Sequence, residues 1–184
     1  ISGGMGGLFG ERKARQGRKE GSIQQEQAET NAQRPAVLQS AQDIAQSGAN
    51  LLTVIQPLKS NLAPFAQAIA QNPDAQQVMA QTVQAIRGIS NQWNGGAITE
   101  TFGPHAVDFS PTPQGIDNFL TLLITIAIKS SELTKPEFIA NPESEAGLIR
   151  SAETGKFGPG VQLMEQRRRQ MQVVAQAMEQ LGSL

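Results

Sequence analysis

The feature that most constrains this chain is a seam of apolar and small residues spaced alternately four and three apart: Val37, Ala41, Ile44, Gly48, Leu51, Ile55, Leu58, Leu62, Phe65 and Ile69. An average step of about 3.5 residues keeps one stripe of a slightly supercoiled helix turned toward a partner surface. The rhythm continues through Met79, Val83, Ile86, Ser90 and Trp93, and again through Met164, Arg168, Met171, Ala175 and Met178. A chain built this way folds by laying helices side by side.

Punctuation supports the same reading. Proline is tolerated at the first position of a helix, where its missing N–H was unpaired anyway, and Asn or Thr before it caps the free amides. That arrangement occurs at Asn72-Pro73-Asp74, Thr112-Pro113-Gln114 and Asn141-Pro142-Glu143. Helices are expected at about 35–56, 58–71, 73–91, 113–133, 142–154 and 160–181. Pro57 and Pro64 lie within the long seam and should kink or break it. The apolar run Phe119 to Ile128 is rich in β-branched residues and fits either a buried central helix or a buried strand. Ile98–Phe102 and Ala106–Phe109 flank Gly103-Pro104-His105 and suggest a short β-hairpin near 97–109 or an ordered loop.

The fold class expected is therefore all-α: several amphipathic helices in an oligomeric bundle, with an extended N-terminal arm and that short hairpin. The chain divides into a Gly-rich and basic/Gln-rich arm at 1–34, Pro-kinked amphipathic helices at 35–93, the hairpin or loop at 94–111, and the central and C-terminal helices at 112–184.

Composition explains why the bundle is expected to need sister molecules. Aromatic residues make up 4% of the 184 residues and tyrosine is missing, so the interior must be built from Leu, Ile, Val and Met. A lone copy should be only modestly stable. Seam residues Val37, Ile44, Leu51, Ile55, Leu58, Leu62, Phe65, Ile69, Met171 and Met178 are accordingly the expected oligomer interface.

A formal net charge of −1 argues against a generally basic nucleic-acid binder. The distribution is uneven, with six Lys or Arg and four Glu in residues 1–34 against nine basic and twelve acidic residues in the remainder. The cluster Arg12, Lys13, Arg15, Arg18 and Lys19 can contact DNA non-specifically through phosphates, although no aromatic residues interleave to stack on bases. A solvated arm is the alternative. The absence of cysteine removes disulfides and thiolate zinc sites. No apolar stretch reaches the roughly 18 to 20 residues of a membrane-spanning helix.

The motifs that usually carry chemistry are weak. His105 and Asp108 do not complete a metal site. Glycines 3 to 10 neither follow a strand nor precede a Lys-Ser or Lys-Thr pair, so the phosphate-loop reading fails. Consecutive Arg167, Arg168 and Arg169 point about 100° apart on a helix and read as snorkelling surface arginines, with a subunit contact as the alternative. Glu143-Ser144 followed by Gly158-Pro159-Gly160-Val161-Gln162-Leu163-Met164 resembles lysozyme-like transglycosylases. There a glutamate acts as general acid, but the sugar-binding aromatic residues are missing and a capped helix start explains Glu143 more simply. No catalytic, metal-binding or cofactor-binding residue is assigned.

The Gly-rich start Gly3-Gly4-Met5-Gly6-Gly7-Leu8-Phe9-Gly10, the basic and Gln-rich stretch to Gln33, and Ala/Gln helices such as Ala66-Gln67-Ala68-Ile69-Ala70-Gln71 together resemble, in composition, the internal or connector proteins of tailed-bacteriophage virions, including ejection proteins. The resemblance implies a structural protein of the virion, in or near the portal, tail or ejection apparatus, acting in multiple copies beside other virion proteins. It transfers no catalytic residue. A lysozyme-like enzyme and a nucleic-acid-binding module working through the arm are the competing expectations.

Overall fold

A computed structural model describes residues 39–89, 96–134 and 159–184, and for the last helix the side chains from Leu163 onward. Among these residues there are six helices and no strand, and 81% of the residues are helical. We label them α1 (39–60), α2 (Leu62–Ala70), α3 (Pro73–Gly88), α4 (Ala97–Phe102), α5 (Pro113–Ser131) and α6 (Pro159–Leu181).

Local chemistry places the helix starts where the sequence predicts them. The Asn72 side chain accepts a hydrogen bond from the Ala75 amide at 3.2 Å, with Pro73 opening α3. Thr112 Oγ1 likewise accepts from the Gly115 amide at 3.1 Å, with Pro113 opening α5. Asp74 in the first turn of α3 and Arg87 in its last complement the helix dipole.

The long seam breaks once, at Asn61, and not at Pro57. The break suits Pro64, whose ring and missing N–H disfavour the interior of a helix, although α1 runs on through Pro57 under the same restriction. Starting a new helix at Leu62 puts Pro64 in the first turn, where the missing N–H costs nothing. Pro57 is accommodated within α1, and its own carbonyl accepts from the Asn61 amide at 3.0 Å.

α5 is the buried central helix. Ile116, Phe119, Leu120, Leu122, Leu123, Ile126 and Ala127 are all buried. Its threonines hydrogen-bond along the helix, Thr121 to the Asp117 carbonyl and Thr125 to the Thr121 carbonyl, each at 2.9 Å. The β-branched run is therefore a helix and not a strand, and those half-buried hydroxyls have partners on their own helix.

Against the expected hairpin near 97–109, the structure has the short helix α4 followed by an irregular loop. Strand-like alternation loses here to tertiary demands. Helical spacing lets Ala97 join the core one turn from Glu100, which reaches an arginine on α6. Gly96 at φ 108° and Gly103 at φ 77° bracket the helix in backbone conformations that favour glycine. The loop packs back through an edge-on pair of Phe102 and Phe109, whose ring centres are 5.9 Å apart, while Arg87 lies over the Phe109 ring.

α6 packs against both α3 and α5. α1 runs antiparallel to α5: Lys59 near its end pairs with Asp117 near the start of α5 at 2.8 Å, and Gly48 lies against residues 127–131. The two helices nearly touch at Gly48, where a Cβ would fall 2.6 Å from the Ala127 carbonyl oxygen. The residues expected at an oligomer interface take the following places within the single chain. Ile44, Ile55, Phe65, Ile69, Met171 and Met178 are buried, and Leu51, Leu58 and Leu62 pack partly buried against the same core. One chain's own helices cover most of the seam. Val37, the arm at 1–34 and the helix expected at 142–154 lie outside the described residues.

Candidate functional site: an open groove beside a buried ion cluster

The buried face of α6 is rotated from the one its sequence suggests. Leu163, Arg167, Gln170, Val174, Ala177 and Leu181 form its deepest stripe, each at most 2% exposed. These positions are also spaced four and three apart. Arg167 is thus not a surface arginine; it is fully enclosed, while Arg168 and Arg169 are exposed.

A buried guanidinium needs a charge partner, because desolvation outweighs what packing alone returns. Arg167 Nη2 donates to Glu100 Oε2 at 2.6 Å, and Nη1 donates to Gln170 Oε1 at 2.9 Å. Lys129 Nζ lies 3.3 Å from the same Glu100 oxygen. One carboxylate therefore joins α4, α5 and α6. Gln170 Nε2 in this cluster, and Ser130 Oγ on α5 facing Gly48, are buried without a hydrogen-bond partner among the described residues. The cluster ties the three helices together inside the described core. The detectable signal was a polar pair, Arg167 and Gln170, on an otherwise apolar stripe of seam spacing.

The other wall of α6 is open. Between α1 and α6 runs a groove of about 420 Å³. Ile44 and Met171 lie buried at its base, Leu51 and Ala175 are more exposed, and polar Ser40, Asp43, Ser47 and Asn50 of α1 and Arg168 and Gln172 of α6 complete the lining. Asp43 accepts from Gln39 Nε2 at 2.9 Å, and Arg168 pairs within its own helix with Glu165. The hydrogen bond to Glu165, and then its charge, hold the Arg168 guanidinium above its ordinary pKa. Further down the same face, Val54 is 45% exposed, with a methyl group beside Gly182 just past α6. Leu184, at the same end, is 46% exposed. Three interface residues expected from the sequence, Ile44, Leu51 and Met171, thus border this groove; the other described ones do not.

The remaining candidates are dispersed. His105 is exposed in the loop after α4, beside a cavity of about 330 Å³ bounded by α4 and the end of α3. Asp108 accepts from the Ser110 amide at 2.8 Å, and hydrogen bonds from the Ser110 side chain and backbone hold its carboxyl below the ordinary aspartate range. Among the described residues no group of three or more His, Cys, Asp or Glu side chains could hold a metal ion. None of the described helices is long and apolar enough to cross a membrane. Arg12, Lys13, Arg15, Arg18, Lys19 and Glu143 lie outside the described residues. Comparison with protein-family models, with curated proteins and with solved structures finds no match for this chain.

Proposed function

We propose that this chain is a structural component that works by joining copies of itself and neighbouring proteins, in the setting its composition resembles, the portal, tail or ejection apparatus of a tailed-phage virion. The carrying observation is the α1–α6 face, where a groove of mixed polar and apolar lining and the exposed Val54 lie together. A groove between two helices can seat a neighbouring helix.

Surface chemistry supports the same reading. Residues 39–89 carry four charged side chains, Asp43, Lys59, Asp74 and Arg87, against ten glutamines. Amides both donate and accept, so such helices approach identical neighbours without the like-charge repulsion that a highly charged surface imposes. Symmetric assembly of identical subunits is the natural use of a surface with so little long-range charge.

Light scattering of the full chain over a wide concentration range tests the proposal. Mass is expected to rise to a defined multiple of the monomer. A molecule that stays monomeric at the highest attainable concentration would overturn it.

A further inference from the structure

Resting on that assembling role, we infer that the α1–α6 groove is the contact with a second copy of this chain, related by a two-fold axis running along the groove. Such an axis lays α1 of one copy over α6 of the other at the same height. Asp43 then faces Arg168 of the second copy, and the reciprocal pair forms on the other side of the axis.

The chemistry of the face selects this occupant. Asp43 and Arg168 border the same groove from opposite helices, so their signs are opposite across it. A patch with that arrangement is complementary to itself when turned over, which is what an isologous contact requires. Between the charged sides the partly exposed Leu51 and the exposed Ala175 lie with polar Ser47, Asn50 and Gln172 along the rims that would meet, while Ile44 and Met171 stay buried beneath them. The groove-lining positions run from Ser40 to Leu51 on α1, about 17 Å at 1.5 Å per residue, so the groove supplies the centre of a contact and the flanking turns must complete the roughly 800 Å² per partner that a stable dimer uses. Arg168 keeps its bonds to Glu165, which hold the guanidinium at the side of the groove, and its five donors leave capacity for a second carboxylate.

The test is a charge swap in the full chain, read by analytical ultracentrifugation, with circular dichroism to establish that each variant keeps its helices. Asp43→Arg alone and Arg168→Asp alone each place like charges together twice per dimer and should weaken association by about tenfold or more. The double variant restores opposite signs and should recover most of that loss. Because the chain has no cysteine, a second measurement is clean. Mixing an Asp43→Cys copy with an Arg168→Cys copy under mild oxidation should give the mixed disulfide dimer in excess over either self-linked dimer.

If the wild-type chain associates but neither reversal weakens it, or self-linked dimers match the mixed one, this face is excluded while the assembling role stands. A chain that stays monomeric removes both and leaves the groove for a partner of another kind.

Discussion

α1 meets its two long neighbours in opposite ways. Toward α5 the backbones close on Gly48 until no methyl group fits, whereas toward α6 the helices part around a groove of about 420 Å³. Small residues at the contact let two helices approach, while larger side chains such as Met171 fill only the floor of the gap and leave its walls apart. The closed seam and the ion cluster beyond it should therefore carry fold stability, and the open groove should carry association. Interior substitutions ought to change unfolding without touching oligomeric state, and groove substitutions the reverse.

The largest effect is expected at the ion cluster. Arg167→Ala empties the space of a fully enclosed side chain and removes the 2.6 Å partner of Glu100, with Lys129 still 3.3 Å from the carboxylate, and should cost about 2–4 kcal/mol, measured by urea unfolding. A loss under about 1 kcal/mol would mean that the cluster behaves as a solvated surface pair, and the division between interior and groove would blur.

Two glycines sharpen the contrast at intermediate size. At Gly48 a Cβ would meet the Ala127 carbonyl oxygen at 2.6 Å and the Ser131 amide nitrogen at 2.8 Å. Both are backbone atoms that cannot swing aside, so Gly48→Ala should destabilise by about 1–3 kcal/mol. At Gly88 nothing lies within 4 Å, and the same change should stabilise by about 0.4–1 kcal/mol through the unfolded chain. Thermal melts that shift in the same direction for both would refute close packing of α1 on α5.

The smallest effect is at the exposed loop after α4. Asp108 has a folded-state pKa below its reference of 3.8, through its hydrogen bonds to Ser110. Its stabilising contribution is complete above that reference and lost as pH falls through the lowered value. Asp108→Asn should melt slightly below the wild-type chain at neutral pH and converge with it as pH falls below about 4, flattening the acid limb of stability in melts across an acid series.

Much of this architecture was legible beforehand, and particular residues show why. Thr112-Pro113 and Asn72-Pro73 specify helix starts through one side-chain oxygen and one missing N–H, a purely local chemistry. The α1 seam was readable because its residues are apolar or small. The α6 stripe was misread by one position, since Met164, Met171 and Met178 form a plausible seam while the deeper stripe contains Arg167 and Gln170. A single helix cannot reveal that its arginine will find a carboxylate 67 residues away. The hairpin expectation failed for the same reason. Glu100 in isolation is a surface residue, and only α6 makes it an internal anchor.

What local sequence determined, then, is where helices begin and end and which stripes are apolar, because capping, proline geometry and periodicity act over a turn or two of chain. Which stripe turns inward, which glycine closes a seam and which groove stays open were decided by tertiary packing. Those outcomes depend on charges and volumes brought together from distant parts of the chain, and no short-range signal contains them.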